Sequence, residues 1–576
     1  MTAETGSSNH PSHAGARRAG VAAVVLGWLA VAALFVVHFG YYVPPSNDDD
    51  PYITYRYAWN LLHGHGLSWN PGEPFQGYSN LLWVLLNALL QPLVGDFLTA
   101  SRLVSCASFA TILAVGVVSL RAVAPGVSGR LWGLAFGLLV VCCAPLMRYA
   151  VYGWEMAVFP ALLMAALHAF VRETEGRSRG WWSVPLALLA VLSRSEGPAH
   201  LLAFGVVRLL LWRGGARPCR RDAVWWGSVV AMLACYLVFQ WLYFGTLLTG
   251  PYIAKIAGHT EFAFGREYMM GILVYAGAAP ALLFAAGALL CARFAPVRAA
   301  MWFVPCLVQT AVILRANGDF WPGFRLFAGL YPLLYLGALT GFAAAAPRVR
   351  PVMPRRAIVA AGLLLAVATA CCELNTDRVS VARFLREGPL SEKWRTAREL
   401  RVPKSGLWSD PVRRIFAPPS GPFTQAVALV LDHTLPGEEI VFPDIGFIGL
   451  ATGRVLHDQR GLVDRDAALS IYHERRGDAA LCDEHAARFI DKVSSAPVTF
   501  VGVARHATRI NELVGSSAWL RDGFTEVGAT PDHTFFVRND RIANPLDAAT
   551  KEANWRSAHE ILPRYPFFTR RLKDVR

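Results

Sequence analysis

Three consecutive carboxylates, Asp48, Asp49 and Asp50, follow the first long apolar run of the chain. A single acid in this position solvates a loop or caps a helix, which is the ordinary interpretation for Asp48. Adjacent acids repel each other, and a like-charged neighbour raises the pKa of one partner toward the range that a proton acceptor needs. The pair Asp49 and Asp50 therefore suits a general base or the ligands of a divalent cation, Mg²⁺ or Mn²⁺.

A stripe of aromatic and cationic residues follows these acids. A helix that begins after Pro51 places Tyr52, Tyr55, Arg56 and Trp59 on one side, at the spacing i, i+3, i+4, i+7. Such a short amphipathic helix is predicted to lie in the membrane interface, with its rings at headgroup depth. The alternative is that the helix only anchors the chain at the membrane surface.

Charged residues recur at the ends of later apolar segments, where they are costly unless they are paired or functional. Glu155 begins one such segment, and Arg194 and Glu196 lie between two others. These three residues either pair with each other and hold helices together, or they contact a substrate. The sequence leaves both alternatives open.

Two further stretches combine basic residues with acidic or aromatic ones. Lys255 follows Tyr252, and the stretch "RANGDFWPGFR" contains Arg315, Asp319 and Arg325. Arginine makes bidentate contacts to a phosphate, and lysine supplies a point charge. These residues therefore suit a phosphate or pyrophosphate headgroup, with ordinary ion pairing to neighbouring acids as the alternative.

The composition indicates that these residues are positioned by a membrane protein. Of the 576 residues, 54% are hydrophobic and 17% are charged, whereas about a quarter are charged in soluble proteins. The net charge of +14 does not indicate nucleic acid, because the arginines cluster between apolar segments, where basic residues orient membrane proteins. Most cysteines lie in or beside apolar segments without metal-ligand spacing, so we expect them to be buried apolar residues.

The distribution of arginines predicts the membrane topology. Residues 1–19 are expected to form a disordered cytoplasmic N-terminus, followed by a retained membrane helix. The positive-inside rule places the arginine-rich connections in the cytoplasm and the acid and base clusters outside. Residues 79–120 are long enough to cross twice, but a single net crossing keeps the acids on the outer face. We therefore expect about eleven net crossings, with part of 79–120 re-entrant or interfacial.

Residues 374–576 are more polar than the preceding part of the chain. They contain short strand-like runs, "EEIVFPD", "PVTFVGV" and "HTFFVRN", separated by turn residues and helical stretches. The sequence thus predicts a polytopic α-helical membrane domain over 20–373, with a first external loop at 44–78, and a soluble α/β or α+β extracytoplasmic domain over 374–576. Asp444 and Asp458 are expected to stabilise turns in this domain.

The segment "DDPYITYRYAWNLLHGHGLSWNPGEPFQGYSNLLW" resembles the first external loop of multi-span GT-C glycosyltransferases. The resemblance is to the family that contains the terminal arabinofuranosyltransferase of the mycobacterial cell wall. The motifs "GWEMAVF", "LSRSEG", "YFGTLLTGPYIAK", "GDFWPGFR" and "FPDIGFIGLATGRVLHDQRGLVD" follow in the family order, so the similarity spans residues 48–464. Departures at Pro51, Gln76 and Ser195 bear on the sugar and acceptor more than on the chemistry.

The resemblance implies inverting transfer of a sugar, arabinofuranose by analogy, from a polyprenyl-phosphate donor to a hydroxyl of a cell-envelope glycan. It implies a plasma (inner) membrane location, with the active site and the C-terminal domain outside the cytoplasm. By family position, Asp49 is expected to be the general base, opposite the leaving group, and Asp50 to orient the acceptor or a cation. The donor phosphate is expected to contact Lys255, Arg325, Arg194 and Arg56. The sugar or acceptor is expected to contact Glu155, Glu196, Asp319, Tyr55, Trp69 and Tyr252.

Two other classes of protein fit part of this pattern. A transporter or flippase of a lipid-linked sugar also presents basic residues to a phosphate, but such proteins commonly have internal repeats and broken midplane helices, which are not evident in the sequence. A non-catalytic envelope scaffold is the third class, and the long acid-bearing first loop argues against it. Cleavage of a lipid-linked sugar by the purified chain distinguishes the enzyme from both.

Overall fold

The computed structural model describes residues 12–42, 48–215, 220–257, 262–319, 324–349, 354–378, 401–403, 423–505 and 508–575. Part of the expected disordered N-terminus, 1–11, lies outside the described residues, as do 379–400 and 404–422 of the expected soluble domain. The described part of the chain is mainly helical.

The part of the chain before residue 376 contains helices joined mostly by short connections. They are α1 (Ser12–Tyr42), α2 (Asp50–Leu62), α3 (Leu81–Val94), α4 (Phe97–Val123), α5 (Val127–Cys142), α6 (Ala144–Val151), α7 (Val158–Thr174), α8 (Ser183–Ser193), α9 (Leu202–Arg213), α10 (Arg220–Phe244), α11 (Gly250–Lys255), α12 (Ala263–Ala276), α13 (Ala278–Phe294), α14 (Pro296–Arg315), α15 (Arg325–Ala328), α16 (Tyr331–Ala345) and α17 (Arg355–Asn375). Two 3₁₀ turns, Glu155–Ala157 and Gly197–Leu201, precede α7 and α9.

Six helices in the described residues are long and apolar enough to cross a membrane. They are α1 from Ala22 onward, α4, α7 with its preceding turn, α10, α14 and α17. The bent pair α5 and α6, whose axes meet at 56°, gives a seventh candidate, and α3, α8, α13 and α16 are shorter apolar helices. The chain is thus a multi-pass membrane protein, while about eleven crossings and the side of the membrane on which each loop lies stay predictions.

The region 79–120 forms one short and one long helix. α3 has 14 residues, contains Pro92 and ends at Gly95, which has a left-handed backbone (φ 77°). At 1.5 Å per residue it is about 21 Å long, less than the roughly 30 Å hydrocarbon core. α4 has 27 residues and is long enough by itself. A single net crossing of 79–120, with α3 re-entrant or interfacial, stays a prediction.

α2 begins at the acids, as predicted, with Pro51 in its first turn, where the fixed φ of proline suits a helix start. Most of its residues are buried within the protein. It packs between α3 and a helix of the C-terminal domain. The prediction of an interfacial helix at headgroup depth is therefore wrong, because protein rather than lipid covers the aromatic face.

The C-terminal part contains a five-stranded mixed sheet in the order β4-β3-β5-β7-β6. β3 (Glu439–Val441) pairs in parallel with β4 (Val455–His457) and β5 (Val498–Ala504). β7 (His533–Arg538) pairs antiparallel with β5 and with β6 (Phe524–Ala529). The three strand-like runs in the sequence correspond to β3, β5 and β7. A separate antiparallel pair joins β1 (Thr376–Arg378) to β2 (Arg401–Pro403).

Helices flank this sheet. They are α18 (Thr424–His433), α19 (Gly446–Thr452), α20 (Arg465–Arg475), α21 (Ala479–Ser495), α22 (Arg509–Ser516), α23 (Ala518–Gly523), α24 (Asn539–Ala543), α25 (Ala548–Ile561) and α26 (Pro566–Val575). The small sheet domain is present as predicted, while its boundaries and its extracytoplasmic location stay predictions.

The first loop and the C-terminal domain share one apolar core. Tyr52, Tyr57 and Trp69 belong to the same buried cluster as Phe447 and Tyr565. A separate cluster fills the bundle of apolar helices. Because α2 lies within the shared core, the packing of the C-terminal domain fixes the position of the acids at the start of α2.

Candidate functional site

Asp50, the first residue of α2, lies between two basic side chains. Its Oδ2 accepts a hydrogen bond from Arg325 Nη1 at 2.8 Å and lies 3.9 Å from Lys255 Nζ. The Asp50 side chain is 21% exposed and that of Lys255 is 47% exposed. Burial raises the pKa of Asp50, but the charges of Lys255 and Arg325 outweigh burial and hold it below its usual value. Asp50 is therefore an ionised, partly accessible carboxylate beside an accessible lysine.

Arg325 links this carboxylate to a second one. Its Nε donates to Asp319 Oδ2 at 2.7 Å, and its guanidinium carbon lies 4.7 Å from the ring centroid of Trp154. The Arg325 side chain is 8% exposed. Since two acids already engage this guanidinium, Lys255 is the more accessible of the two cations for an incoming anion. Asp50, Lys255, Asp319 and Arg325 are hereafter called the Asp50 centre.

Asp49 faces the C-terminal domain instead. Its Oδ2 and Oδ1 accept the backbone N–H groups of Gly446 and Phe447, each at 2.7 Å. These residues begin α19, so the carboxylate pairs with N–H groups that a helix leaves unpaired at its start. Burial, together with the charge of Asp444, raises the pKa of Asp49 to about 8. Both of its oxygens are thus engaged in docking α19, in contrast to the partly exposed Asp50.

Asp48 neither solvates a loop nor caps a helix, which were the ordinary interpretations of its position. It is 4% exposed, and its Oδ2 accepts a hydrogen bond from Trp154 Nε1 at 3.1 Å. Burial raises the pKa of Asp48 to about 6. Asp48 therefore fixes the position of the Trp154 ring, which packs against Arg325 of the Asp50 centre.

A second ion-pair group surrounds Arg194, at the end of α8. Arg194 Nη1 donates to Glu155 Oε1 at 2.8 Å, and its Nε donates to Glu196 Oε1. Asn80 Nδ2 donates to Glu155 Oε2 at 3.0 Å, and Gln309 Nε2 donates to Glu196 Oε1 at 3.3 Å. The structure therefore brings the three charged residues together, as the pairing alternative predicted. Trp154, which packs against the guanidinium of Arg325, immediately precedes Glu155 in the chain, so this group adjoins the Asp50 centre.

Arg56 lies in the interface between α2 and the C-terminal domain. It is 3% exposed and donates to the backbone carbonyls of Trp69 and Arg454, at 3.0 and 2.6 Å, and to that of Gly449. Its guanidinium carbon lies 4.6 Å from the ring centroid of Trp69. These contacts occupy the guanidinium that the sequence assigned to the donor phosphate.

Two of the aromatic residues expected to contact the sugar or acceptor, Tyr55 and Trp69, are also buried. Trp69 is 1% exposed and Tyr55 is fully buried. The Tyr55 hydroxyl donates to Ser101 Oγ at 2.9 Å, and its ring stacks on Phe97 with centroids 5.3 Å apart. Both rings thus belong to the protein core, whereas Tyr252, on α11, is half-buried and adjoins Lys255 in the short helix.

Asp444 was assigned to a turn, and it lies in the bend between β3 and α19, where its charge also acts on Asp49. Its oxygens lie 3.1 Å from Arg460 Nη2 and 2.8 Å from His533 Nε2. Its charge contributes to the raised pKa of Asp49, and that of Arg460 contributes to the lowered pKa of Asp50. Asp444 follows β3, at the carboxyl edge of parallel strands where ligand-binding residues commonly converge. This edge is the signal that could have identified it.

Asp458 has the turn role predicted for it. Its carboxylate accepts the backbone N–H groups of Arg460, Leu462 and Val463 at 2.7, 2.5 and 3.1 Å. Burial raises the pKa of Asp458 to about 7. The turn that it closes packs against the first loop, because an added Cβ on Gly77 would lie 2.3 Å from Val463 Cγ1.

The donor set around the acids does not fit a divalent cation. Within the described ranges, no three His, Cys, Asp or Glu side chains converge as metal ligands. Asp49 binds backbone N–H groups and Asp50 binds cationic side chains, which compete with a metal ion for the same oxygens.

No protein-family model and no curated protein matches the chain. Among solved structures, ArnT from Cupriavidus metallidurans bound to undecaprenyl phosphate is 13% identical, with a TM-score of 0.46 over 89% of this chain and 97% of that one. Its apo state is 14% identical, with a TM-score of 0.48 over 90% and 98%. The apo Archaeoglobus fulgidus oligosaccharyltransferase is 12% identical, with a TM-score of 0.44 over 83% and 69%. Similarity at this level says nothing about what this chain binds or transfers.

Proposed function

We propose that this chain transfers a glycosyl group from a polyprenyl-phosphate donor to an acceptor hydroxyl. The observation that carries the proposal is the Asp50 centre, in which a partly exposed carboxylate lies 3.9 Å from an exposed lysine. The attacking hydroxyl must lose a proton to a carboxylate within reach, and the departing phosphate must have its charge stabilised. Asp50 and Lys255 supply these two functions side by side.

In the proposed reaction, the acceptor oxygen attacks the anomeric carbon while the bond from that carbon to the phosphate oxygen breaks. The hydroxyl proton passes to Asp50, and the lipid phosphate leaves with the electron pair of the broken bond. Inversion requires the base and the leaving group on opposite faces of the sugar. Lys255 has a flexible four-carbon stem, so its ammonium can turn from Asp50 toward a phosphate on the far face.

This movement also activates the base. In the structure, Lys255 and Arg325 hold the pKa of Asp50 below its usual value. A phosphate bound to Lys255 neutralises one of these charges, so the pKa of Asp50 rises toward the range in which a carboxylate accepts a proton well. Donor binding thus prepares the carboxylate for the acceptor.

The other charged residues support these two. Asp49, expected as the base from its family position, is proposed to dock α19 and to orient its neighbour Asp50. Arg194 is proposed to hold two carboxylates toward the sugar and acceptor. The residues proposed for that side are Glu155, Glu196, Asp319 and Tyr252. Arabinofuranose as the sugar, a cell-envelope glycan as the acceptor and the outer face of the plasma membrane as the location follow from the motif resemblance alone.

The test is release of free polyprenyl phosphate by the purified full chain, measured with a panel of polyprenyl-phosphate sugars and a short glycan acceptor. Wild-type protein is expected to turn over one donor. Asp50→Asn is expected to lower turnover about 10²- to 10⁴-fold, the usual contribution of a general base. Asp522→Asn, whose side chain is 76% exposed in the C-terminal domain, is the matched control and keeps wild-type turnover.

Three results contradict parts of this proposal. Wild-type turnover by Asp50→Asn removes the assignment of the base. Movement of an intact lipid-linked sugar across a proteoliposome bilayer, without cleavage of any donor, supports a transporter. Neither cleavage nor movement supports the scaffold class.

A further inference from the structure

Arg475, the last residue of α20 in the C-terminal domain, reaches the helix that carries Lys255. Its Nη1 donates to the backbone carbonyls of Ile253 and Ala257 at 3.5 and 3.3 Å, and its Nη2 donates to that of Ala254. These carbonyls belong to the last turn of α11 and to the turn that follows it. A residue of the C-terminal domain thus binds the backbone on both sides of Lys255.

α11 depends on such contacts because it is short. It has six residues, and isolated helices of that length are not stable in water. The last carbonyls of a helix have no partner within it, and a positive charge is favourable beside them. The forked guanidinium of Arg475 meets both needs, since it carries several donors in a fixed plane.

Neighbouring contacts place the same segment at a junction of two domains. An added Cβ on Gly250 would lie 2.1 Å from the carbonyl oxygen of Leu462, so the start of α11 also touches the C-terminal domain. From the membrane domain, Arg315 Nη1 donates to the carbonyl of Ile256 at 3.4 Å. The backbone that carries Lys255 is therefore held by both parts of the chain.

We propose that Arg475 is a positioning residue for the donor phosphate. It fixes the backbone at the C-terminal end of α11 so that the Lys255 ammonium can reach both Asp50 and the donor phosphate, and docking of the C-terminal domain thereby completes the phosphate site. This inference rests on the proposed function, because it takes Lys255 as the group that receives the phosphate. Arg475 itself contacts backbone and acts through Lys255.

Equilibrium binding of undecaprenyl phosphate to the purified full chain tests the inference. Arg475→Ala is expected to weaken binding about tenfold, a usual size for coupling between separate positions. Arg475→Lys is expected to weaken it less, because the charge remains while the fork is lost. Arg476→Ala is the matched control, since Arg476 is exposed and lies over the ring of Tyr472, 5.7 Å from its centroid. It keeps wild-type affinity.

Two comparisons separate positioning from general damage to the fold. Undecaprenol has the same chain without the phosphate, and Arg475→Ala is expected to bind it like wild type. The double variant Arg475→Ala, Lys255→Ala is expected to bind undecaprenyl phosphate with the same affinity as Lys255→Ala alone, because the first change acts through the second residue.

Equal losses for undecaprenol and undecaprenyl phosphate, or fully additive effects in the double variant, would overturn the positioning role. If Lys255→Ala bound undecaprenyl phosphate with wild-type affinity, Lys255 would not be the phosphate-binding residue, and that part of the proposed function would be wrong. If Lys255→Ala weakened the binding of undecaprenyl phosphate and Arg475→Ala left it unchanged, this inference would be contradicted, while the proposed function would still hold. The two failures are therefore distinguishable.

Discussion

The two ends of the acid-aromatic segment differ in what surrounds them. Along α2, Tyr52, Arg56 and Tyr57 are 1%, 3% and 0% exposed, and their polar atoms bind other parts of the protein. At the start of the same helix, Asp50 keeps 21% of its side chain exposed between Arg325 and Lys255. The comparison teaches that the aromatic and cationic stripe builds an interface between domains. The groups that can act on a substrate lie at the helix end.

The largest effect on stability is expected from Arg56→Ala. The change removes three hydrogen bonds from the charged guanidinium to backbone carbonyls, each worth about 1.5–3 kcal/mol for a charged donor. The carbonyls of Trp69 and Gly449 keep Asn60 Nδ2 and the Gly453 N–H as donors, whereas that of Arg454 loses the donor from Arg56. We expect a loss of about 4 kcal/mol in chemical unfolding of the full chain. Turnover per folded molecule is expected to stay at the wild-type value.

The matched control is Arg521→Ala, because the Arg521 side chain is 70% exposed. A different outcome would break the comparison between the two ends of the segment. If Arg56→Ala kept its stability and lost affinity for undecaprenyl phosphate, the stripe would belong to the substrate site.

An intermediate effect, with a characteristic pH dependence, is expected from Asp49→Asn. Asp49 presents one oxygen to each of the N–H groups of Gly446 and Phe447, whereas the amide of asparagine presents one oxygen and an NH₂ donor that faces the second N–H group, so we expect a loss of about 2 kcal/mol. The pKa of Asp49 is raised to about 8 in the folded chain, against about 3.9 when unfolded. The folded state therefore holds a proton that the unfolded state lacks between these values, and this contribution to stability is lost as the pH rises.

Thermal unfolding of wild type and Asp49→Asn from pH 4.5 to 9 measures this effect. The advantage of wild type is expected to be largest near the acidic end and to shrink toward pH 8. An advantage that grows with pH would show that the ionised carboxylate is the form that docks α19.

The smallest effect is expected from Tyr52→Phe. The hydroxyls of Tyr52 and Tyr565 lie 2.6 Å apart in the shared core, and removing one leaves the other without this partner, at about 1 kcal/mol. Unfolding midpoints in denaturant give the difference, with the half-buried Tyr472→Phe in α20 as the control. If Tyr52→Phe lost turnover without losing stability, Tyr52 would belong to the substrate site as well as to the interface between domains.

Local patterns predicted the features that depend on neighbouring residues. Pro51 after three acids marked the start of α2, and the strand-like runs marked β3, β5 and β7. The position of Glu155, Arg194 and Glu196 at the ends of apolar segments allowed pairing among them. What an amphipathic helix face packs against is not determined by the residues near it in the sequence. A lipid headgroup and a protein surface select the same aromatic and cationic side chains, so the spacing of Tyr55 and Arg56 could not distinguish them.

The same reason explains why Asp444 and Arg475 were missed as parts of the site. The charge of Asp444 acts on Asp49, and Arg475 contacts α11, only after the C-terminal domain docks. Both effects depend on residues far away in the sequence. Asp49 and Asp50 are adjacent in sequence but bind different partners, because each partner is far away in the sequence. Asp49 binds α19, and Asp50 binds Arg325.

The bonds from Asp49 to Gly446 and Phe447 join positions that are 397 and 398 residues apart. During synthesis, chains generally fold from the N-terminus onward, so the apolar helices enter the bilayer before the ribosome has made α19 or Arg475. Until α19 and α20 have been made, Asp49 lacks the backbone N–H groups that it binds, and the carbonyls of α11 lack the guanidinium of Arg475. In the proposed enzyme, the phosphate site is accordingly assembled only after the ribosome has made α20.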